Sequence, residues 1–316
     1  MKSLKKTHLL IFLFLPFYMF SQTENDKIIY LDSLFSITTK ENHIYYKVVK
    51  DYYFQKESYL IEYYYKSGKL KKTATSKESD TNKYFGFVTS YYENGTASEK
   101  LFYKDSQPNG PYRSWYINGK KKAIGEYIAT NGDAAKATIL KIDQYWDENS
   151  VQKVIDGEGT YLEQSGKLSL EGKVKNGLKD GVWKGKDDRQ YITFEEEYQN
   201  GEFISGVSTD INFIKHTYKQ IQQNPSPIKG LNHFYTFVSK KFNIRGNYNG
   251  RAKIILTFEV DKKGTINNVE IVTGVNPTFD KEAIRVLNAY ADWQPGKYRG
   301  VDANVLFTLP IVLDLK

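Results

Sequence analysis

The sequence predicts a mostly β protein in two parts: stacked β-hairpins followed by a small α+β domain. Three observations carry this. An aromatic pair ahead of Asn-Gly or Ser-Gly recurs through residues 45–210. The chain holds 26 Tyr, 18 Phe and 23 Gly against 2 Met, a balance that favours strands joined by tight turns. From about residue 230 the pattern reads helix, strand, hairpin, strand, helix, strand. At 316 residues the chain is long enough for each part to bury a core of its own.

Residues 1–21 read as a signal peptide. Lys2, Lys5 and Lys6 make a positive start, Leu9 to Phe20 is apolar, and Ser21-Gln22 is a plausible cleavage point. The apolar run is short for a membrane span, which takes about 20 residues, and Pro16 interrupts it. Cleavage would send the protein to the periplasm or cell envelope; retention would leave it anchored in the inner membrane, facing the periplasm. No other stretch is apolar enough to cross a bilayer. Without the three leader lysines the formal charge falls from +8 to +5, and the remaining lysines are scattered, which argues against nucleic-acid binding. With no cysteine, disulfides, thiol nucleophiles and cysteine-ligated metals are excluded.

Residues 22–44 are expected to cap the repeats. Ile28, Leu31, Leu34 and Phe35 recur at helical spacing, which reads as a short helix or as a cap. The repeat region follows. Tyr91-Tyr92-Glu93-Asn94-Gly95 returns as Trp115-Tyr116-Ile117-Asn118-Gly119, and Tyr64-Tyr65-Lys66-Ser67-Gly68 and Glu197-Tyr198-Gln199-Asn200-Gly201 share the shape. Asn-Gly supplies the positive φ angles of a two-residue type I′ turn, so each unit reads as one hairpin. A fixed period implies that each hairpin buries its aromatic face against the next. The aromatics serve either as the core of this stack or as a platform for a sugar or peptide.

Lys175-Asn176-Gly177-Leu178-Lys179-Asp180-Gly181-Val182-Trp183 resembles a MORN-variant repeat. That resemblance implies a scaffold or binding surface, including the glycan- or toxin-binding (antitoxin-like) roles of such repeats. Residues 211–229 are expected to be a linker: a polar, helix-like stretch to Gln222-Gln223, stopped by Asn224-Pro225-Ser226-Pro227.

Residues 230–316 form the second domain. Leu231, Phe234, Val238 and Phe242 fall on one side of a helix. Ile254, Leu256, Phe258 and Val260 alternate as the buried face of a strand, and Asp261-Lys262-Lys263-Gly264 turns it back. Asn276-Pro277 starts a second helix, with a capping side chain followed by proline at the first helical position. Val305, Phe307, Leu309, Ile311 and Leu313 alternate in the last strand. One helical layer on a three-stranded antiparallel sheet satisfies all of these faces.

Several motifs in order are similar to the TonB C-terminal domain, especially of Bacteroidota: Phe258-Glu259-Val260-Asp261-Lys262-Lys263-Gly264, Phe279-Asp280-Lys281-Glu282-Ala283, Trp293-Gln294-Pro295-Gly296, Gly300 and Leu309-Pro310-Ile311. The resemblance implies recognition of an outer-membrane receptor, or another envelope protein, by strand addition. It places the partner-binding residues on the last strand and its adjoining loop: Trp293, Pro295, Gly296, Val305, Phe307, Leu309 and Pro310. Pro310 reads either as part of that edge or as its guard against aggregation. Energy-transducing members carry a membrane helix and a proline-rich spacer; here repeats stand in the spacer's place, so an anchored transducer is the alternative.

The sequence carries no P-loop, nucleophile elbow, metalloprotease helix or dinucleotide motif. His8, His43, His216 and His233 lack zinc-type spacing. The expectation is a binding protein, not an enzyme, with no cofactor; peptidoglycan or another glycan is a further candidate partner.

Overall fold

The computed structural model describes residues 25–129, 138–243 and 250–315. The signal-peptide reading of residues 1–21 lies outside them. Contacts divide the chain into two compact units: Met1–Lys120 with Ala129–Thr138, and Lys121–Ile128 with Ile139–Lys316.

Sixteen strands follow one another in chain order in a single sheet. They are β1 (Lys27–Leu31), β2 (Tyr45–Val49), β3 (Tyr59–Tyr65), β4 (Leu70–Ser76), β5 (Tyr84–Tyr91), β6 (Ala97–Lys104), β7 (Gln107–Trp115), β8 (Lys121–Ala129), β9 (Thr138–Trp146), β10 (Gln152–Ile155), β11 (Glu158–Ser165), β12 (Leu168–Lys175), β13 (Leu178–Asp187), β14 (Ile192–Gln199), β15 (Glu202–Thr209) and β16 (Lys215–Tyr218). Stacked hairpins are what the aromatic-turn repeat predicted.

Two local expectations need correcting. Residues 27–31 form a strand and not a helix: β1 pairs with β2 from Lys27↔Val49 to Leu31↔Tyr45. Ile28 and Ile29 are β-branched, and this preference outweighs a helical spacing of only four apolar residues. The turns at Asn94-Gly95 and Asn118-Gly119 are three-residue loops, not type I′. Tyr92 N–H reaches Thr96 O at 2.8 Å and Gly95 N–H reaches Tyr92 O at 2.9 Å, and only the glycine has positive φ. The Asn94 side chain instead accepts from Thr96 N–H at 3.0 Å, an Asx contact that stabilises the loop. Asn176-Gly177 and Asn200-Gly201 do have positive φ at both residues, as type I′ requires.

In the first unit Leu31, Val49, Ile61, Ala74 and Val88 pack with Tyr59, Tyr63 and Tyr84. In the second, the repeat strands carry a continuous ladder of rings: Tyr145, Tyr161, Trp183, Tyr198, Phe203 and Tyr218 stand 5.0 to 6.4 Å apart, centroid to centroid. Trp183 is fully buried and donates its indole N–H to Lys173 O at 2.9 Å. Most of these rings are therefore core, as a sheet poor in aliphatic residues requires.

The strand glycines of the second unit have a packing reason. Gly172 lies opposite Trp183, Gly185 opposite Phe194 and Gly206 opposite Tyr218. A Cβ at these glycines would come within 2.3, 2.5 and 2.3 Å of the facing ring. Each ring thus lies flat across a backbone that has no side chain, a cross-strand pairing that fixes register as well as burying area.

The expected linker is built into sheets. Its polar stretch forms β16, β17 (Gln222–Gln223) and β18 (Ser226–Pro227) and contains no helix. Beyond it come α1 (Gly230–Lys241), β19 (Gly250–Val260), β20 (Ile266–Thr273), α2 (Pro277–Asn288), β21 (Trp293–Gln294), β22 (Gly296–Tyr298), β23 (Val301–Ala303) and β24 (Val305–Leu315). The sheet order β20-β19-β24 and the two helices give the predicted α+β domain. Its core joins Phe234 and Val238 of α1, Phe279, Ala283, Val286 and Leu287 of α2, and Ile254, Leu256, Phe258, Leu309 and Ile311 of the sheet. Burying each large apolar side chain there contributes roughly 1.5–3 kcal/mol. Asn276 caps α2 as expected, accepting from Thr278 N–H at 3.0 Å and Phe279 N–H at 3.1 Å. Gly264 closes the β19–β20 hairpin at φ +81°, and a Cβ there would meet Trp293 O at 2.2 Å.

Candidate functional site

The site is built on the last strand. β24 pairs with β19 over eleven consecutive residue pairs, Gly250↔Leu315 to Val260↔Val305, without a register shift. The opposite edge strand, β20, is interrupted by two irregularities, and bulges of that kind discourage further pairing. β24 is therefore the longer and more regular open edge.

Strand periodicity settles which groups that edge offers. Val305, Leu309 and Ile311 are buried and Phe307 is partly buried against the core. The alternate residues Leu306, Thr308, Pro310 and Val312 are exposed, Leu306 at 69%. Alternate residues also aim their backbone groups at opposite neighbours. Pro310 has no N–H, yet pairing continues through it, so its parity is the one that faces away from β19. Tyr235 of α1 donates its hydroxyl to the Pro310 carbonyl at 3.2 Å, which fits that direction. Leu306, Thr308 and Val312 then present N–H and C=O groups along the free edge, with the middle occupied by Pro310 and Tyr235.

Beside the start of this edge lies a shallow pocket of about 350 Å³, lined by Asp187, Arg189 and Gln190 of the repeat sheet and by Tyr298, Asn304 and Leu306 among others. Asp187 takes Arg189 in a two-pronged contact, Nε at 3.1 Å and Nη2 at 2.9 Å. The Arg189 hydrogen bond holds the Asp187 carboxyl below the usual carboxylate range. Tyr298 donates to the same carboxylate at 3.2 Å, and burial pushes its phenol up.

The pocket exists because the β22–β23 hairpin is seated in the last repeats. Its turn, Arg299-Gly300, has positive φ at both residues. Arginine in this conformation is unfavourable, and its side chain supplies the compensation. Arg299 Nε donates to Glu196 Oε1 at 2.8 Å, the two side chains being 4% and 0% exposed. Tyr218 and Tyr198 donate to the same carboxylate at 2.9 and 2.8 Å. The guanidinium lies 3.9 Å from the Phe194 ring centroid. Burial alone would lower the Arg299 pKa; Glu196, together with the Tyr298 and Tyr218 phenols, raises it. Backbone contacts complete the seat: Arg299 N–H to Ile221 O at 2.7 Å and Ser208 Oγ to Arg299 O at 2.6 Å. A carboxylate with three donors and a guanidinium with a ring face satisfy the conditions under which a buried pair is tolerated.

The residues expected from sequence fall in three places. Val305, Phe307 and Leu309 point inward from β24, so only their neighbours reach a partner through side chains. Trp293 is buried against Phe258, Phe234 and Phe307 at 5.2, 5.7 and 6.1 Å. Gly296 is buried where a Cβ would lie 2.5 Å from Val305, and Pro295 is partly exposed. Pro310 stands on the open edge. Sequence reasoning missed Asp187, Arg189, Tyr298, Leu306 and the Glu196–Arg299 pair. Alternation alone could have found Leu306 and Thr308; nothing local signals a contact across a hundred residues.

Among the described residues, no group of three or more His, Asp or Glu could hold a metal ion, and no helix is long and apolar enough to cross a membrane. Residues 246–315 match the family model of the Gram-negative bacterial TonB protein C-terminal domain. No curated protein and no solved structure matches the chain. The matched region takes in β19 to β24 and α2, and so the whole of the open edge.

Proposed function

We propose that this is an exported cell-envelope protein whose C-terminal domain binds an extended segment of an outer-membrane receptor, or of another envelope protein, by strand addition along β24. The observation that carries the proposal is the regular, unbulged β24 edge within a region matching the TonB C-terminal domain. Main-chain hydrogen bonds to Leu306 and Thr308 would supply affinity, and the Asp187–Arg189 pocket beside them would select a side chain of the partner. The repeat sheet then has two tasks: it orients the domain through Arg299, and it lends the pocket Asp187, Arg189 and Gln190. The function is binding, with no catalytic step.

Proline scanning of the edge tests this. In Thr308→Pro the lost N–H faces the open edge, so the fold is expected to survive while capture of outer-membrane proteins by the full chain falls. Phe307→Pro removes an N–H that bonds β19 and is expected to unfold the domain. Unchanged capture by a folded Thr308→Pro variant would remove β24 as the binding edge.

A further inference from the structure

The first unit holds two lysines, Lys47 buried and Lys72 half-buried, that make no ion pair among the described residues. Lys47 of β2, Tyr63 of β3 and Lys72 of β4 form one cross-strand row, Lys47 opposite Tyr63 and Tyr63 opposite Lys72. The two lysines are thus two strands apart on one face, about 10 Å between backbones. Lys47 is 6% exposed and donates to Asn82 Oδ1 at 3.0 Å. Lys72 Nζ stands 4.3 Å from the Tyr63 ring centroid and 5.3 Å from that of Tyr84. Among the described residues, no carboxylate lies within ion-pair distance of either amine. Asp80 is the carboxylate whose charge acts on Lys47, but its contacts go to Lys27 at 3.4 Å and Tyr52 at 2.5 Å.

Buried lysines are ordinarily paired. The second unit supplies the comparison. Lys179 lies over Trp183 and Tyr198 at 4.6 and 4.8 Å, and it also meets Glu163 at 2.7 Å. The Lys47–Lys72 row has the ring faces and lacks an acid in ion-pair contact.

We propose that Lys47 and Lys72 form an anion site that takes one carboxylate or phosphate group, with the Lys72 ammonium held in place by the faces of the Tyr63 and Tyr84 rings. Such a group satisfies ammonium protons that the fold leaves open and cancels the repulsion between the two amines. Without it, burial and the neighbouring Lys71 and Lys47 push the Lys72 amine down to about 8, which fits a cation held without a partner.

The test is calorimetric titration of the full chain with inorganic phosphate and, separately, with acetate, sodium chloride holding ionic strength constant. Binding of either anion, weakened about tenfold or more by Lys72→Met, is the expected result, and the anion that binds identifies the chemistry. Methionine there removes a half-buried charge and keeps the packing of the side-chain stem. Should that variant not fold, acetylation of the wild-type amines read by mass spectrometry replaces it. The anion should then slow Lys72 severalfold and leave the exposed Lys167 unchanged. No binding beyond chloride, binding indifferent to Lys72→Met, or equal slowing at both lysines would overturn the proposal.

Discussion

Breaking the Glu196–Arg299 pair is the perturbation with the largest expected consequence outside the hydrophobic cores. In Arg299→Met the Glu196 carboxylate stays fully buried and keeps only the Tyr198 and Tyr218 hydroxyls. Removing one partner of a buried pair costs about 3–5 kcal/mol, because the other charge is left in a low-dielectric site. Arg299→Lys should cost less but not nothing. It keeps the charge and loses both the fork geometry and the flat contact with Phe194, 3.9 Å away. The double variant Glu196→Leu with Arg299→Met leaves no charge unpaired and should recover most of the loss, giving a coupling of about 2–4 kcal/mol. Urea unfolding followed by fluorescence is suitable, since Trp183 and Trp293 are both buried in this unit. Single variants within about 0.5 kcal/mol of the parent, the range of ordinary surface changes, would refute the claim that the hairpin is seated by this pair.

Three further outcomes are expected. Gly172→Ala places a methyl 2.3 Å from the Trp183 ring, so it should cost about 1–3 kcal/mol by overpacking and alter the near-ultraviolet dichroism of that indole. A variant of parental stability would mean the ring does not lie on Gly172. The Asp187 pKa is lowered in the folded state, so its contribution is present above the unfolded carboxylate value, about 4, and is lost as pH falls through the lower folded value. Because Arg189 is more than half exposed, the effect is small, about 0.2–1 kcal/mol. Asp187→Asn should flatten the acid limb of the stability profile by that amount, which acid titration of Tm can detect. Leu256→Ala, at a fully buried position in the C-terminal core, should cost about 2–5 kcal/mol in the same urea assay.

Much of this architecture was legible in the residues, and for identifiable reasons. The α2 start could be read from Asn276-Pro277 because capping is local chemistry. The β19–β20 hairpin could be read from Asp261 to Gly264 because positive φ is a property of one residue. Alternation disclosed the inward face of β24, and for the same reason the partner-binding residues chosen from the family motif were mostly those of the core. A strand that binds through its edge exposes the residues between the motif positions. The aromatic-turn repeat predicted hairpins but misjudged loop length at Asn94-Gly95 and Asn118-Gly119, since Asn-Gly serves both a two-residue turn and a three-residue loop with a terminal glycine. The strands at residues 222–227 were hidden because their partners lie 66 to 76 residues further along the chain, from Pro227↔Trp293 to Gln222↔Tyr298. In the acidic run Glu195-Glu196-Glu197, strand alternation exposes the outer two and buries the middle one. Its partner lies at Arg299, beyond the reach of any local pattern.

The most direct test of the proposed function is site-specific photo-crosslinking of the full chain in intact cells. A benzophenone side chain at Leu306, whose side chain is exposed on β24, is compared with one at the exposed Glu148 of the turn between β9 and β10. An outer-membrane or other envelope protein captured at Leu306 and not at Glu148, through a short segment identified by mass spectrometry, is the predicted result. Equal yields at both positions, or no capture at Leu306, would contradict strand addition at this edge.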